Sequence, residues 1–426
     1  MDPARTEDHP HRPGRSVAVL VDDLVTWLVA GLQPTGIQRV VTELLRTAYA
    51  RNDIDAWPAL STISLRRARP QLLRIDPDGL RWDPGKGPRS VNQRMLRSVR
   101  AAVAPLPIPP RLRLAAKSIY AQLTFRLSGI GSDTSRLGWS KHTPSLLLVP
   151  GAFWEGDAAS RIESIAGEGI PIRMIVYDLI PVRSPDFVEP DLCIAFEQAL
   201  DRLVPVSDRV ITLSREVADL IAERYPYAAG RVHVAVPTLR AHAPKATVEV
   251  DGVAAPAPGP FLLVLSTVEP RKNHRVILDA WRLTAADPRA SGAWLVIAGR
   301  RGWKTDDIEA EIARHGDRLR IARLDHVSDE VVEALYRDCL ATVHASWVEG
   351  FGLPARESVA RGIPTLMSSS IPQDGLPDGT YRLFEPTDAQ ALAGLMLEAI
   401  VAGRVRMPVV LGEGTGWEPV LSALVD

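Results

Sequence analysis

The sequence predicts an α/β protein of two doubly wound domains facing each other across a cleft. Three observations lead there. Short apolar runs such as "SLLLVP", "FLLVLS" and "WLVIAG" lack polar alternation, the pattern of parallel strands covered on both faces. Segments of helical period follow such runs in turn, so strand and helix alternate along the chain. Between 240 and 260 that rhythm is broken by "RAHAPKATVEVDGVAAPAPGP", an Ala/Pro/Gly-rich stretch that reads as a linker. Ligands of such sheets bind outside the carboxyl ends of the strands, and in a tandem pair the crevice between domains is the natural site.

The elements follow in order. Residues 1–15 are polar, without the apolar core of a secretory signal, and are expected to form a tail. The first domain is placed at 16–245. It opens with the strand "SVAVLVDDL" (Ser16–Leu24) and a turn at Gly36, then an amphipathic helix with Ile37, Val40, Val41, Leu44 and Leu45 on one side. After an arginine-rich insertion at about 65–142, alternation resumes. "PSLLLVPG", "IRMIV", "RVITLS" and "RVHVAV" read as strands, and "DLCIAFEQALDRL" and "EVADLIAERY" as helices. "YDLIPV" is expected to run from strand into loop. The second domain, 258–410, carries strands "FLLVLST", "AWLVIAG", "RLRIARL", "ATVHAS", "IPTLMSS" and "YRLF". Its helices fall at about Arg275–Ala286, Asp306–His315, Asp329–Cys339, Leu353–Arg361 and Ala389–Val401. Residues 411–426 are expected to form a helix that crosses back to the first domain.

Composition narrows the class. With 46% hydrophobic and 24% charged residues, the 426-residue chain is globular, and no apolar run approaches the roughly 18 residues that span a bilayer. Cys193 and Cys339, single and unspaced, exclude a disulfide framework or a cysteine zinc site and fit a cytoplasmic setting. The net charge of −1 hides an asymmetry: Leu65–His142 holds 16 Lys/Arg against 4 Asp/Glu. Such a block suits an anionic membrane surface, and equally a solvated insertion. Nucleic acid is the weaker partner, because aromatic residues for base stacking are few there.

Four strand-end turns could carry chemistry. In "EGFGLPARE", Pro354 stands at a first helical position and Gly350, Phe351, Gly352 and Leu353 offer main-chain N–H groups to an anion. Glu349 and Glu357 can face one small volume from the same helix start and accept bonds from sugar or ribose hydroxyls. They would also suit the helix dipole with no ligand at all. In "VEPRKNH", Arg271 and Lys272 are adjacent cations at a strand's carboxyl end, a fit for a diphosphate. "AGRRGW", with Gly299, and "PTGIQRV", with Gly36, repeat the glycine-and-cation theme after two other strands. Convergence of all four on one cleft is poorly explained by chance.

"EGFGLPARE" resembles the E-x7-E signature of retaining GT-B glycosyltransferases, in the large family numbered four, and "VEPRKNH" resembles that family's donor-diphosphate motif. "TGIQRVVTELL" and "YDLIPV" are similar to motifs of members that make cell-surface polysaccharides. The likeness is nearly continuous over Phe261–Pro386 and loose over Leu65–His142. It implies two Rossmann-like domains and transfer of a hexose, with GDP-mannose the preferred donor, to a saccharide or polyprenyl-diphosphate-linked acceptor. No metal or other cofactor is expected, and the enzyme would work in the cytoplasm at the inner face of the membrane. By resemblance, Arg271 and Lys272 hold the donor diphosphate and Glu357 the ribose. Glu349, with the N–H groups of Phe351 and Gly352, holds the sugar and its phosphate. The segment around Val327 meets the base, Gly36 lets the first helix approach the diphosphate, and Asp178 stands by the acceptor hydroxyl. The chain departs from the family pattern at Tyr177, where relatives often carry His, at Thr35, where many carry Gly, and after "LMSSS", where a usual Glu is missing. An epimerase of the same fold and a non-catalytic nucleotide-sugar-binding component remain alternatives. A nicotinamide dehydrogenase does not, since no G-x-G-x-x-G follows the first strand.

Overall fold

A computed structural model describes residues 15–24, 36–61, 65–68, 73–76, 79–82, 139–141, 143–240, 257–325, 327–409 and 416–426. The expected linker centre, the start of the crossover segment and most of the arginine-rich insertion lie outside those residues. The strands are β1 (Arg15–Leu20), β2 (Ile54–Ser61), β3 (Leu65–Ala68), β4 (Leu73–Asp76), β5 (Gly79–Trp82), β6 (Trp139–Lys141), β7 (Leu146–Val149) and β8 (Ile172–Ile175). They continue with β9 (Arg209–Thr212), β10 (Val232–Val234), β11 (Phe261–Leu265), β12 (Trp294–Ala298), β13 (Ile321–Leu324), β14 (Ala341–His344), β15 (Thr365–Ser368) and β16 (Tyr381–Phe384).

In the first sheet the order is β10-β9-β8-β7-β1-β2-β3-β6. From β10 to β2 all pairs are parallel, while β2–β3 and β3–β6 are antiparallel. The arginine-rich insertion therefore begins and ends as sheet, which its sequence does not announce. In β3, "LRRA", Arg occupies two of four positions and leaves no apolar alternation to read. The tail expected through residue 15 stops one residue sooner, since Arg15 pairs with Ile54 in β1. At the other end of β1, residues 22–24 turn into helix instead of continuing the expected strand to Leu24. "IPVR" after Asp178 is a short helix, Ile180–Arg183, where a loop was expected.

The second sheet runs β13-β12-β11-β14-β15-β16, all parallel. Its central strands are buried on both faces, which explains their uninterrupted apolar runs. The chain winds outward to one edge from β11, returns to β14, and then builds toward the other edge. The crevice at the carboxyl ends of β11 and β14 is thus the topological switch point.

The last helix, Glu418–Val425, lies on the first sheet. Trp417, Val420, Leu421, Leu424 and Val425 share a core with Val17, Val19, Leu146 and the helix Ile37–Ala50. Its final carbonyls have no partners within the helix. Arg15 donates to Val425 O at 2.8 Å, Arg173 to Leu424 O at 2.7 Å and Arg209 to Ala423 O at 2.7 Å. Three cations at a helix C-terminus also complement its dipole. Among the described residues, no helix is long and apolar enough to cross a membrane.

Candidate active site

The loops that follow β11 and β14 are interlocked at the switch point. After β11 the chain makes a single tight turn, Pro270–Lys272, and Asn273 then adopts a left-handed conformation, φ 53°. Asn tolerates that region better than most residues. Its side chain caps the helix His274–Ala286 by accepting from Val276 N–H at 3.5 Å, and donates to Pro386 O at 2.8 Å. Arg271 and Lys272 are thereby aimed at the loop after β14.

There Glu349 receives both. Arg271 Nη1 lies 2.8 Å from Glu349 Oε2, and Lys272 Nζ lies 2.5 Å from Oε1. Ser346 Oγ donates to the same Oε1 at 2.7 Å. Arg271 also donates to Glu269 Oε1 at 2.8 Å and to Val348 O at 3.2 Å, while Trp347 N–H donates to Arg271 O at 2.9 Å. Burial alone would raise the Glu349 carboxyl. The nearby charges of Lys272 and Arg271, with bonds from Lys272 and Ser346, outweigh it and hold the group at about 2. Burial disfavours the Arg271 charge, but Glu349, Glu269 and Asp178 together hold its guanidinium above the usual value.

Asp178 faces this group from the first domain. Burial pushes its carboxyl up, against a bond from Ile180 N–H at 3.0 Å and the charge of Arg271. Between the domains lies a cleft of about 280 Å³ bordered by Asp178, Arg183 and Glu216 on one side and by Trp347, Glu349 and Gly350 on the other. Behind Glu349 a hole of about 10 Å³, room for one water, is lined by Lys272, Ser346, His344 and the helix start at Gly352 and Pro354. His274 and His344 stand close to this group. Burial first, and then the charge of Lys272, depresses each imidazole to about 3, so both are neutral at pH 7.

The glycine-rich turn is built differently from expectation. A β-carbon on Gly350 would lie 2.0 Å from Tyr177 O and 2.5 Å from Asp178 Cβ, so its bareness allows the close contact between domains. Gly350 O accepts from Ser214 Oγ of the first domain at 2.8 Å. Phe351 is buried in the first domain's core, with Leu353 packed beside it. Gly352, at φ 75°, caps the helix Leu353–Ala360. Arg356 holds the turn from below: its guanidinium lies 3.7 Å from the Phe351 ring centroid and donates to Phe351 O and Pro372 O.

The remaining predicted positions are scattered more widely. Glu357 accepts from Tyr336 Oη at 3.3 Å and lies 3.9 Å from Arg39 of the first domain. The two glutamates thus have separate partners. Gly36, at φ 50°, begins the helix that carries Arg39. Gly299, at φ 139°, brings the end of β12 against Ser266 O, where a β-carbon would come within 2.1 Å. The adjoining Arg301 pairs with Asp306, so that cation serves its own loop. Val327 is half-buried among apolar residues of the second domain. Sequence reasoning missed Glu269, Ser346, Trp347, His344, Glu216 and Arg39. Glu269 and Arg39 lie inside the quoted motifs "VEPRKNH" and "PTGIQRV", His344 and Ser346 inside the strand "ATVHAS", and Trp347 directly after it, so each had a signal to follow.

The architecture is GT-B: two doubly wound domains facing a cleft. Across 96% of the chain it resembles sucrose-phosphate synthase from Thermosynechococcus elongatus, with a TM-score of 0.55 at 16% identity over 92% of that chain. Residues 250–406 match the family model for glycosyl transferases group 1. The O-antigen chain mannosyltransferase B of Escherichia coli is 31% identical over 141 residues, 33% of this chain and 36% of that protein. The serotype-specific mannosyltransferase WbdA of Escherichia coli is 28% identical over 226 residues, 50% of this chain and 27% of that protein. This chain therefore spans between about a quarter and about a third of the length of these relatives.

Proposed function

We propose that the protein is a retaining glycosyltransferase that moves mannose from GDP-mannose to a saccharide or lipid-linked saccharide in surface polysaccharide synthesis. The observation that carries the reading is the joint grip of Arg271 and Lys272 on Glu349 at the switch point, opposite Asp178. The match of residues 250–406 to that family model supports transfer, and the names of the two Escherichia coli relatives support mannose.

In the structure Glu349 occupies both cations, and so stands where a diphosphate oxygen would bind. On donor entry the diphosphate takes over Arg271 and Lys272, and Glu349 turns to accept hydroxyls of the sugar. Negative charge grows on the leaving phosphate as the glycosidic bond breaks, and two preorganised cations stabilise it best at that moment. The acceptor hydroxyl enters from the Asp178 side, on the same face as the departing diphosphate, which takes its proton. The sugar keeps its configuration, with no covalent enzyme intermediate and no metal. Glu357, at the start of the same helix, holds the ribose. The basic segment 65–142 contacts an anionic leaflet, each basic residue near the surface adding about 1 kcal/mol.

A screen of GDP-, UDP-, dTDP- and ADP-sugars by thermal shift and by release of nucleoside diphosphate tests this. Stabilisation and release with GDP-mannose support it. No response to any donor refutes it, and release without an acceptor-dependent product would favour an epimerase or a binding component.

A further inference from the structure

The cleft of about 280 Å³ has two unlike ends. One is Glu349, the carboxylate that holds Arg271 and Lys272. The other is built by Arg183 and Glu216 of the first domain and by Trp347 of the second, whose large aromatic side chain is 37% exposed. Trp347 follows strand β14 in the segment that carries Glu349, and its N–H is tied to Arg271 O at 2.9 Å while Arg271 donates to Val348 O. The main chain of an aromatic residue is thus tied to the loop that bears the cations, with two first-domain carboxylates, Asp178 and Glu216, across the opening.

We infer that this end of the cleft is a subsite for a neutral pyranose acceptor, which lays its C–H face on Trp347 and bonds its hydroxyls to Glu216 and Asp178. The inference rests on the transferase reading above. Sugar rings present an apolar face edged by hydroxyls, and an indole beside carboxylates complements both. The charge balance favours a neutral ring over a phosphorylated one. Arg183 is the cation on this wall, and it is shared between Glu223 at 3.9 Å and the charge of Glu216. An acceptor phosphate would face Glu216 and Asp178 with too little positive charge to offset them. Because Trp347 is bonded to the cation loop, an acceptor stacked there is held next to the donor's scissile bond.

The test compares Trp347→Ala and Trp347→Phe with the wild type. A neutral mannoside and its 6-phosphate serve as acceptors, and GDP-mannose, or whichever donor the screen finds, is the donor. Expected are a rise of about tenfold in acceptor KM for Trp347→Ala, recovery in Trp347→Phe, and an unchanged donor KM. The thermal shift produced by nucleoside diphosphate should stay the same in all three proteins, which separates this subsite from the donor site. The wild type should use the neutral mannoside in preference to the phosphate. An unchanged acceptor KM in Trp347→Ala, or preference for the phosphorylated acceptor, overturns the inference while leaving the transferase reading standing. A wild type that neither binds nucleoside diphosphate nor transfers overturns both.

Discussion

Tyr177 presents its main-chain oxygen so close to Gly350 that a β-carbon there would lie 2.0 Å away. Neither group is a flexible tip that could step aside. Gly350→Ala should therefore push the domains apart at the cleft and cost about 1–3 kcal/mol of stability by overpacking. Thermal unfolding and transfer should both suffer, since Asp178 and Glu349 would lose their alignment. Wild-type melting together with wild-type turnover would show that the contact is not tight.

Arg271→Ala combined with Lys272→Ala should lower transfer by a hundredfold or more, the usual consequence of removing preorganised charge. It also strands Glu349 as a buried carboxylate without its cations, which destabilises the fold. Adding Glu349→Gln should restore melting temperature but not transfer. If the triple variant regains activity, the cations serve only to neutralise Glu349.

Glu349→Gln alone should tighten binding of free nucleoside diphosphate by about tenfold, because the ligand no longer competes with a resident carboxylate for charge-assisted bonds. Turnover should fall at the same time. Calorimetric titration of both proteins measures this, and equal or weaker affinity in the variant would contradict the placeholder role.

The pH dependence has a defined sign. His274 and His344 are held neutral down to about pH 3, against about 6.5 in an unfolded chain. Their contribution is fully present above pH 6.5 and declines as pH falls toward 3. Glu349, at about 2, adds a second loss as pH falls from about 4.5 toward 2. Melting temperature should begin to drop near pH 6, and His344→Asn should flatten that first limb. A flat profile down to pH 5 would rule this account out.

The second sheet was legible because its central strands, buried on both faces, leave nearly unbroken apolar runs at β11, β12, β14 and β15, while β13 and β16 each carry an arginine. In the first sheet β3 (LRRA) and β6 (WSK) were not, since three or four residues with arginine or lysine among them carry no period. The candidate site was legible in its parts: Arg271, Lys272, Glu349 and Asp178 were each singled out. Their mutual engagement was not, because Arg271 and Glu349 are brought together by sheet order and not by spacing. The contact of Gly350 with Tyr177 was not legible either, for a related reason. A glycine in a strand-end turn looks the same in sequence whether its neighbour is a ligand or another domain.

The return of Glu418–Val425 to the first sheet means that the polypeptide passes between the two halves twice. A single tether would let them swing in any direction, whereas a pair of crossings acts like two pins on one door. Two connections restrain one half from sliding past the other more than a single one would. The three arginines that clasp the end of that helix fasten the second pin.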